Sequence, residues 1–538
     1  MKRSFSTLFL ITFLTLGFLG IFGVYLPNKV ASFEIDQVIA APVSLSSFSD
    51  IAPSDWELQA PADSEEARAL EVIPSDEPLP QFSGPPVILN AAEEFEKYPL
   101  KEFSPLPLSN VHRYSARFQP SPNLMGSVEF WRNLFARYGQ HHSVVHDTKH
   151  LNIIYGVLDF SNLYGNPGVE TGEIYRVRRA IEEMHKAKIK EMLLRFASGG
   201  IPLTPWEDRI YKIFQKNLDS YSFRKGAENL RAQWGQNDRF QAGLIRFARY
   251  QPLLEQSFIQ EGVPPEITRL TFVESMFTNN AVSKVGAAGP WQFMLSTGKS
   301  FLQINKYLDQ RYDPLLAGSA AAKLLKKNYD LLKSWPLAIN AYNTGALRLL
   351  KAIRKFQTDD IGTIVLNFDD PGYQFASRNF YPEFLAALEV SNNYKEYFGH
   401  LKLEKPIAFE ELVLPYHTSM NQVAITLATD VAILKDLNPA YFDEYFSENT
   451  FIPQGYSIRV PRGEKSLYLA AMDQIHNEEK DFHWHVVAKR DTLPKIASRY
   501  KVTTSQLMQA NRLLDSKVQE GQILKIPGAG ETLVLETR

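Results

Sequence analysis

One carboxylate stands out because it interrupts an apolar pattern. After the Pro-Pro pair at 264–265, which favours the first turn of a helix, Glu274 shares a predicted helix face with Ile267, Leu270 and Phe277. The helix positions one turn away from it are apolar or threonine, so none supplies a cation. Burial without a charge partner raises a carboxyl pKa, which suits a general acid near neutral pH. The alternative is a Glu that pairs with a distant cation or reaches solvent.

Polar residues suited to a carbohydrate follow close behind. Ser275 can hydrogen-bond the neighbouring acid or a substrate. The loop at 283–290 carries two glycines, which allow close backbone approach, and it lacks the lysine–serine pair of a phosphate loop. It leads into Trp-Gln-Phe-Met at 291–294, where an aromatic ring beside an amide suits a sugar with an N-acetyl group. A core aromatic and a turn amide are the alternative there.

A third polar group lies inside an apolar helical run. Trp335 and Pro336 precede this run, Gly345 ends it, and Tyr342 and Asn343 lie within it. Buried polar groups usually have hydrogen-bond partners, so we expect this pair to bind other parts of the site.

Composition excludes several classes of protein. The chain has 538 residues with 44% hydrophobic and 22% charged residues, which is ordinary globular usage. Its formal net charge of −2 gives no global attraction to nucleic acid, and Arg179, Arg239 and Arg246 are predicted to lie on solvated helix faces. The absence of cysteine excludes disulfides, thiol catalysis and a lipid on an N-terminal cysteine. No metal or cofactor is expected, because the histidine pairs at 141–142 and 483/485 lack further ligands at convincing spacing and are predicted as surface residues.

The N-terminus predicts export. Lys2 and Arg3 precede an apolar run at about 4–26, long enough to span a bilayer. Residues 1–30 are therefore predicted to be an uncleaved signal anchor, with a removed signal peptide as the alternative. The Pro-, Ser- and acid-rich stretch at 41–110 is predicted to be an extended linker.

The remaining chain predicts a mainly α protein. Apolar residues at three- and four-residue spacing indicate a helical region at 111–239 and a helical catalytic domain at 240–400. Two stretches at 410–463 and 482–528 then share the order strand, helix, helix, strand, which indicates a repeat of about 70 residues.

Several motifs in this order resemble the catalytic domain of the family 1 lytic transglycosylases, the soluble-lytic-transglycosylase type related to goose-type lysozyme. The motifs are Glu274-Ser275, Gly286 to Met294, Tyr312-Asp313-Pro314 and Ala341-Tyr342-Asn343. The stretch 482–528 resembles a LysM module, and 410–463 looks like a degenerate copy. Two positions depart from the family: Leu295 replaces a frequent proline, and Arg490 replaces the glycine that usually precedes the LysM Asp-Thr pair. With no cysteine for a lipid, the N-terminal segment would serve as the anchor.

The resemblance implies a lysozyme-like fold and a function. Asp313 precedes a proline and is predicted to be a helix cap, which leaves a single catalytic candidate. Glu274 would be the only acid and base, and the implied substrate-binding residues are Ser275, Gln292, Met294, Tyr342, Asn343 and Tyr381, the last of which precedes Pro382. The implied partners are peptidoglycan strands and, through the N-terminus, a membrane, in an exported and periplasmic location; the sequence identifies no protein partner.

The implied reaction is cleavage of the β-1,4 bond between N-acetylmuramic acid and N-acetylglucosamine, with closure of the muramic C6 hydroxyl on C1. Three alternatives stay open. They are a muramidase that hydrolyses the same bond, a peptidoglycan-binding tether with an inactive domain, and an enzyme that cleaves chitin.

Overall fold

A computed structural model describes residues 89–107, 115, 117–166, 169–216, 221–447, 450–478, 483–513 and 515–528. The chain divides into two units, Met1–Glu57 and Leu58–Arg538, and the described residues all lie in the second. The predicted anchor at 1–30 therefore lies outside them. Among the described helices, none combines the length and apolar character needed to cross a membrane.

The first group of elements contains a sheet as well as helices. Its members are α1 (Ala91–Glu94), α2 (Met125–Ala136), β1 (His142–Asp147), β2 (Ile154–Asp159), α3 (Ser161–Tyr164), α4 (Thr171–Ala197), α5 (Pro205–Gln215), α6 (Phe223–Glu228) and β3 (Leu230–Trp234). The strands form an antiparallel sheet in the order β2-β1-β3. The region 111–239, predicted to be helical, therefore contains helices and also a three-stranded sheet that the sequence did not predict. Strand β1 is buried from Ser143 to Asp147, so it lacks the alternation of apolar and polar residues that reveals a half-buried strand.

The end of the predicted linker also folds. Phe95 and Tyr98 are each 5% exposed and pack into the core formed by this sheet and α4. Lys101 pairs with Val157 of β2 through two backbone hydrogen bonds of 2.8 and 2.9 Å. The linker prediction was thus wrong for residues 89–107, where two buried aromatic rings supply apolar contact that the proline-rich composition concealed.

The part of the chain predicted to be the catalytic domain is built from helices around one long buried helix. Its helices are α7 (Asn237–Gln260), α8 (Leu270–Ser275), α9 (Leu295–Lys299), α10 (Pro314–Leu332), α11 (Trp335–Thr344), α12 (Ala346–Phe356), α13 (Ile361–Asn367), α14 (Phe375–Asn392) and α15 (Tyr394–Phe398). Helix α14 packs against α2, α8 and α11. Its central position brings together the elements that carry the candidate site.

Helix α2 belongs to this core although it precedes the predicted domain boundary. Trp131 donates its indole hydrogen to Asn379 of α14 at 3.0 Å. Arg132 pairs with Glu389 of α14 at 3.4 Å, with both side chains almost fully buried. Loss of either partner would leave a buried charge unpaired and strongly destabilise the protein. This ion pair therefore fixes α2 and α14 to each other.

Two small modules follow the catalytic domain. The first contains β4 (Phe409–Val413), α16 (Met420–Thr426), α17 (Val431–Leu437) and β5 (Ser457–Pro461). Helix α18 (Lys465–Glu478) follows it. The second contains β6 (His483–Val486), α19 (Leu493–Tyr500), α20 (Thr504–Ala510) and β7 (Ile523–Ile526). In each module the two strands pair antiparallel. The predicted order of strand, helix, helix, strand is present in both, and the structure, 54% helical, confirms a mainly α fold with small strand pairs near the C-terminus.

Candidate active site

Glu274 lies at the end of a short helix rather than inside a long one. The chain forms a 3₁₀ helix at Pro265–Arg269, then α8, and leaves the helix at Met276 and Phe277, whose φ angles of 52° and 51° are left-handed. The expected single helix face was therefore wrong for Phe277, which is buried but lies beyond the helix end. Glu274 itself is partly exposed, so the early helix end places it at the edge of the core.

Two residues of α7 hold this turn in place. Arg246 donates from its guanidinium to the carbonyl oxygens of Met276 and Phe277, each at 3.0 Å. Gly243 lies so close that an added Cβ would be 2.5 Å from the Met276 carbonyl oxygen. The prediction that Arg246 lies on a solvated face was wrong, and Gly243 was not singled out by the sequence. The bonds from Arg246 are charge-assisted hydrogen bonds to backbone carbonyls, which are among the stronger hydrogen bonds in proteins.

Ser275 has a structural role that differs from the expected contact with substrate. It is fully buried; its hydroxyl donates to the Pro290 carbonyl at 2.9 Å and accepts from Thr278 N at 3.1 Å. Thr271, one turn earlier, donates to the same Pro290 carbonyl at 2.8 Å. Since the Ser275 hydroxyl already donates and accepts within the protein, we assign it to holding loop 283–294 against α8.

The second half of loop 283–294, from Ala287 onward, is tightly packed and folds back on itself. Gly289 has a φ of 77°, and an added Cβ there would lie 1.7 Å from the Arg311 carbonyl oxygen. Trp291 is fully buried and donates to the Pro314 carbonyl at 3.1 Å, so it is a core aromatic rather than a surface for sugar stacking. Gln292, also left-handed at 48°, donates its amide to Gly289 and Ala281 carbonyls at 2.8 and 3.3 Å. Its partly exposed side chain therefore stabilises the turn.

Tyr342 connects this loop with the catalytic candidate. Its hydroxyl donates to the Trp291 carbonyl at 2.8 Å, and its ring lies edge-on to Phe293, with ring centres 6.0 Å apart. Burial first, and then the negative charge of Glu274, raise the pKa of Tyr342 well above its ordinary value. The phenol therefore stays protonated near the Glu274 carboxyl group.

Asn343 and Tyr381 contribute unused polar atoms from the neighbouring helices α11 and α14. Asn343 accepts from the Ser377 hydroxyl at 2.9 Å. Among the described residues, neither its amide nitrogen nor the Tyr381 hydroxyl has a hydrogen-bond partner, although both atoms are buried. Burial raises the pKa of Tyr381, so its hydroxyl stays protonated. The Asn343 amide carries no charge, so both groups can donate a hydrogen bond. Met294 is partly exposed at the start of α9.

The first histidine pair gains a third polar neighbour. His141 and His142, predicted as surface residues, are half-buried, and a ring nitrogen of each lies within 4.8 Å of a carboxylate oxygen of Asp159. That carboxylate already pairs with Lys101 at 3.0 Å, and burial lowers the pKa of His142 to about 4. A cation beside the carboxylate disfavours a second positive charge, so we assign no metal to this cluster.

The second module also departs from the surface prediction at one histidine. His485 is 7% exposed, and its ring nitrogens lie 2.9 Å from the Asp491 carboxylate and 3.1 Å from the Tyr500 hydroxyl. His483 is exposed, as predicted. Arg490 has a left-handed φ of 73°, which explains why glycine suits this position.

Comparisons with known proteins agree with this geometry. Residues 254–365 match the profile of the Transglycosylase SLT domain, which covers Glu274, loop 283–294 and Tyr342. Residues 485–527 match the profile of the LysM domain.

Two curated relatives carry the name membrane-bound lytic murein transglycosylase D, from Escherichia coli strain K12 and from Escherichia coli O6:H1. Each is 28% identical over 283 residues, which is 51% of this chain and 62% of the relative. The chain thus spans somewhat less than two thirds of the length of these proteins. The resemblance inferred from the motifs is confirmed at the level of domains: this chain contains a transglycosylase SLT domain and, after it, a LysM domain.

Proposed function

We propose that this protein is an exported peptidoglycan lytic transglycosylase with Glu274 as its single acid and base. The observation that carries the proposal is the position of Glu274, at the early end of α8 within the matched SLT domain, where its charge acts on Tyr342. The Tyr342 hydroxyl is in turn bonded to loop 283–294. One partly exposed carboxyl group beside a fixed, protonated phenol suits proton transfer to a sugar oxygen.

The reaction balances with one proton and no water. Glu274 gives its proton to the oxygen that joins C1 of N-acetylmuramic acid to N-acetylglucosamine, and the C1–O bond breaks. The glutamate then takes the proton of the muramic C6 hydroxyl while that oxygen bonds to C1, which yields the 1,6-anhydro ring. Glu274 ends protonated, so no second carboxylate is needed, unlike in most glycoside hydrolases.

Two buried donors on α11 and α14 have a role in this scheme. The Tyr381 hydroxyl and the Asn343 amide are buried without protein partners among the described residues, and such groups cost free energy unless a ligand or water bonds them. A bound sugar carries hydroxyl and N-acetyl oxygens that accept hydrogen bonds. We therefore assign Tyr381 and Asn343 to substrate orientation near the acid, with Tyr342, Gln292 and Met294 along the sugar sites.

The flanking parts of the chain fit an enzyme that works on the cell wall. The LysM domain at 485–527 would hold N-acetylglucosamine-containing strands. The apolar N-terminal segment would tether the protein to a membrane and place the rest in the periplasm. Because the LysM domain is part of the same chain, its binding raises the local concentration of strands at the active site.

The test is digestion of purified peptidoglycan by the full chain, with products read by mass spectrometry. The wild-type protein is expected to release muropeptides one water lighter than the hydrolysis products. Glu274→Gln keeps the shape of the side chain but cannot cycle a proton, so anhydro products should fall by at least about a thousandfold. The matched control is Glu396→Gln, at an exposed position of α15, which should leave the rate unchanged.

Each other outcome points to a different function. Reducing ends in place of anhydro ends would assign a hydrolytic muramidase. Binding without any product, in both wild type and Glu274→Gln, would assign a tether. Faster cleavage of chitin than of peptidoglycan would reassign the substrate.

A further inference from the structure

Arg311 of the catalytic domain forms hydrogen bonds near both ends of loop 283–294. The guanidinium of Arg311 donates to the carbonyl oxygens of Gly286 at 3.0 Å and Phe293 at 3.1 Å. The same guanidinium is held by the Asp309 carboxylate at 2.7 Å, and both side chains are at most 10% exposed. The short segment 303–313 therefore holds loop 283–294 from one side, while Ser275 and Tyr342 hold it from others.

The first module (410–463) binds that same segment through backbone contacts. Asp309 N donates to the Ala440 carbonyl at 2.8 Å, and Leu308 forms an isolated antiparallel bridge with Tyr441. The Tyr445 hydroxyl donates to the backbone carbonyl of residue 306 at 3.1 Å. These contacts attach the first module directly to segment 303–313 of the catalytic domain.

A buried ion pair completes the attachment. Arg459 of β5 donates two hydrogen bonds to the Asp313 carboxylate, at 2.6 and 3.1 Å, and the two side chains are 7% and 3% exposed. The same carboxylate caps α10 by accepting from Leu315 N and Leu316 N at 3.0 and 2.9 Å, as predicted for Asp313. A bidentate pair that is also a helix cap fixes both position and angle.

A second ion pair joins the module to α7. Arg249 pairs with Asp436 at the end of α17 and lies 3.9 Å from Glu404 in the connecting segment. Backbone hydrogen bonds from Glu404 to Ile245, at 3.2 Å, and from Ile407 to Arg249, at 2.9 Å, hold that segment along the helix. The module is thus attached on two sides.

The two modules share the hydrogen bonds that join the second helix to the last strand, but they differ in the residue on that strand. Asn438 accepts from Arg459 N at 2.7 Å and donates to the Arg459 carbonyl at 2.7 Å. Asn511 makes the same two bonds, at the same lengths, to Lys525 of β7. Arg459 and Lys525 are therefore equivalent positions. In the first module, the side chain at this position binds Asp313 of the catalytic domain.

We propose that the first module is a structural brace of the catalytic domain and that Arg459 is a positioning residue for loop 283–294. Arg459 acts through Asp313, which lies in the same short segment as Arg311, the residue that fastens the loop. The proposal deepens the proposed function, on which its catalytic part rests, and it assigns the degenerate repeat a role other than glycan binding.

The test uses Arg459→Met in the full chain, which keeps the length of the side chain but leaves Asp313 without its cation. Hydrogen–deuterium exchange of the peptides that cover 283–294 should become at least about tenfold faster, because loss of one partner of a buried pair loosens its surroundings. Anhydro product formation should lose kcat by a similar factor. Sedimentation with insoluble peptidoglycan should be unchanged, because the LysM domain is intact.

Three further variants keep the result interpretable. Arg459→Lys restores the charge but not the bidentate geometry and should recover part of both losses. Lys435→Met removes an exposed pair with Asp443 in the same module and should leave loop exchange and kcat unchanged. If Arg459→Met does not fold, Arg459→Met with Asp313→Asn removes both charges and keeps the cap, and the loop should still exchange faster than in wild type.

Two results would overturn the brace. One is wild-type exchange of 283–294 in a folded Arg459→Met protein. The other is loss of sedimentation with unchanged kcat, which would make the first module a glycan-binding site. The exchange measurement does not depend on activity, so it remains decisive even if the wild-type protein releases no anhydro product and the proposed function fails.

Discussion

A buried histidine next to the catalytic core gives a prediction whose size follows from the structure. His146 of β1 has no exposed surface, its ring centre lies 4.4 Å from that of Phe130, and its Nδ1 is 2.9 Å from the Asp147 carbonyl. Among the described residues its Nε2 has no partner. Burial lowers the pKa of His146 from 6.5 to about 3.

The direction of the effect follows from proton binding. The unfolded chain binds a proton at His146 below pH 6.5, whereas the folded protein binds it only near pH 3. Stability from this group is therefore complete above pH 6.5 and is lost as the pH falls from 6.5 toward 3. The whole interval corresponds to about 5 kcal/mol, of which about 2 kcal/mol is lost between pH 7 and pH 5.

The neighbouring residue acts in the opposite direction. Burial raises the pKa of Asp147 from 3.8 to about 6, so its ionisation destabilises the fold above pH 6. This cost is relieved as the pH falls through the range from 6 to 3.8, which returns about 1 kcal/mol between pH 7 and pH 5. The two adjacent groups therefore partly cancel in the wild-type protein.

Replacing His146 with leucine separates the two effects. His146→Leu changes the core by a similar amount at every pH, so the change in unfolding free energy between pH 7 and pH 5 isolates the imidazole. Relative to wild type, the variant should be more stable by about 2 kcal/mol at pH 5 than at pH 7. Urea unfolding of the full chain, followed by tryptophan fluorescence, measures this because Trp131 belongs to the same buried cluster as Val144 of β1 and Trp234 lies in β3.

The control is His483→Leu at an exposed position of the second module, which should follow wild type at both pH values. If His146→Leu and wild type lose or gain the same stability between pH 7 and pH 5, the burial argument is refuted. Since α2 carries Phe130 and packs on α14, acid unfolding of this sheet should also lower activity.

Three further substitutions test separate parts of the structure. In Gly243→Ala the added Cβ would lie 2.5 Å from the Met276 carbonyl oxygen, in the turn that follows Glu274. The substitution should destabilise the protein by about 1–3 kcal/mol and slow the formation of soluble products from peptidoglycan; an unchanged melting temperature and rate would contradict this. Tyr381→Phe should leave the melting temperature within error, since its hydroxyl has no partner among described residues, yet lower anhydro product formation at least about tenfold. Arg490→Gly should slow hydrogen exchange in 485–527, because glycine relieves about 1 kcal/mol of left-handed strain; faster exchange would refute it.

The sequence predicted the parts of the site that depend on local spacing. Helix α11 begins at Trp335 and ends before Gly345, as proline at the start and glycine at the end indicate. Asp313 caps α10 because an acid before proline has a local reason to bond the first free N–H groups. The repeat was also visible, since each copy preserves an asparagine, at 438 and 511, that joins its second helix to its last strand.

The failed predictions concern contacts between residues far apart in sequence. Ser275 and Trp291 have types that suit a sugar site, but both are fully buried by packing of α8, loop 283–294 and α10. Whether a polar side chain faces a ligand or a distant carbonyl depends on which elements meet, and spacing along the chain does not carry that information. The same reason explains why Arg459 was passed over: its partner lies 146 residues earlier.

The support of Glu274 shows why such distant contacts matter for function. A glutamate in the middle of a regular helix would have its turn held by the helix itself, but here the backbone leaves the helix within two residues, at Met276 and Phe277. The carbonyl oxygens of those two residues are bonded by Arg246, 30 and 31 residues earlier. Left-handed backbone at two successive non-glycine residues is costly and persists only when the surroundings compensate. The position of the acid is therefore set by α7 as much as by α8, and variants of Arg246 should lower kcat without touching substrate.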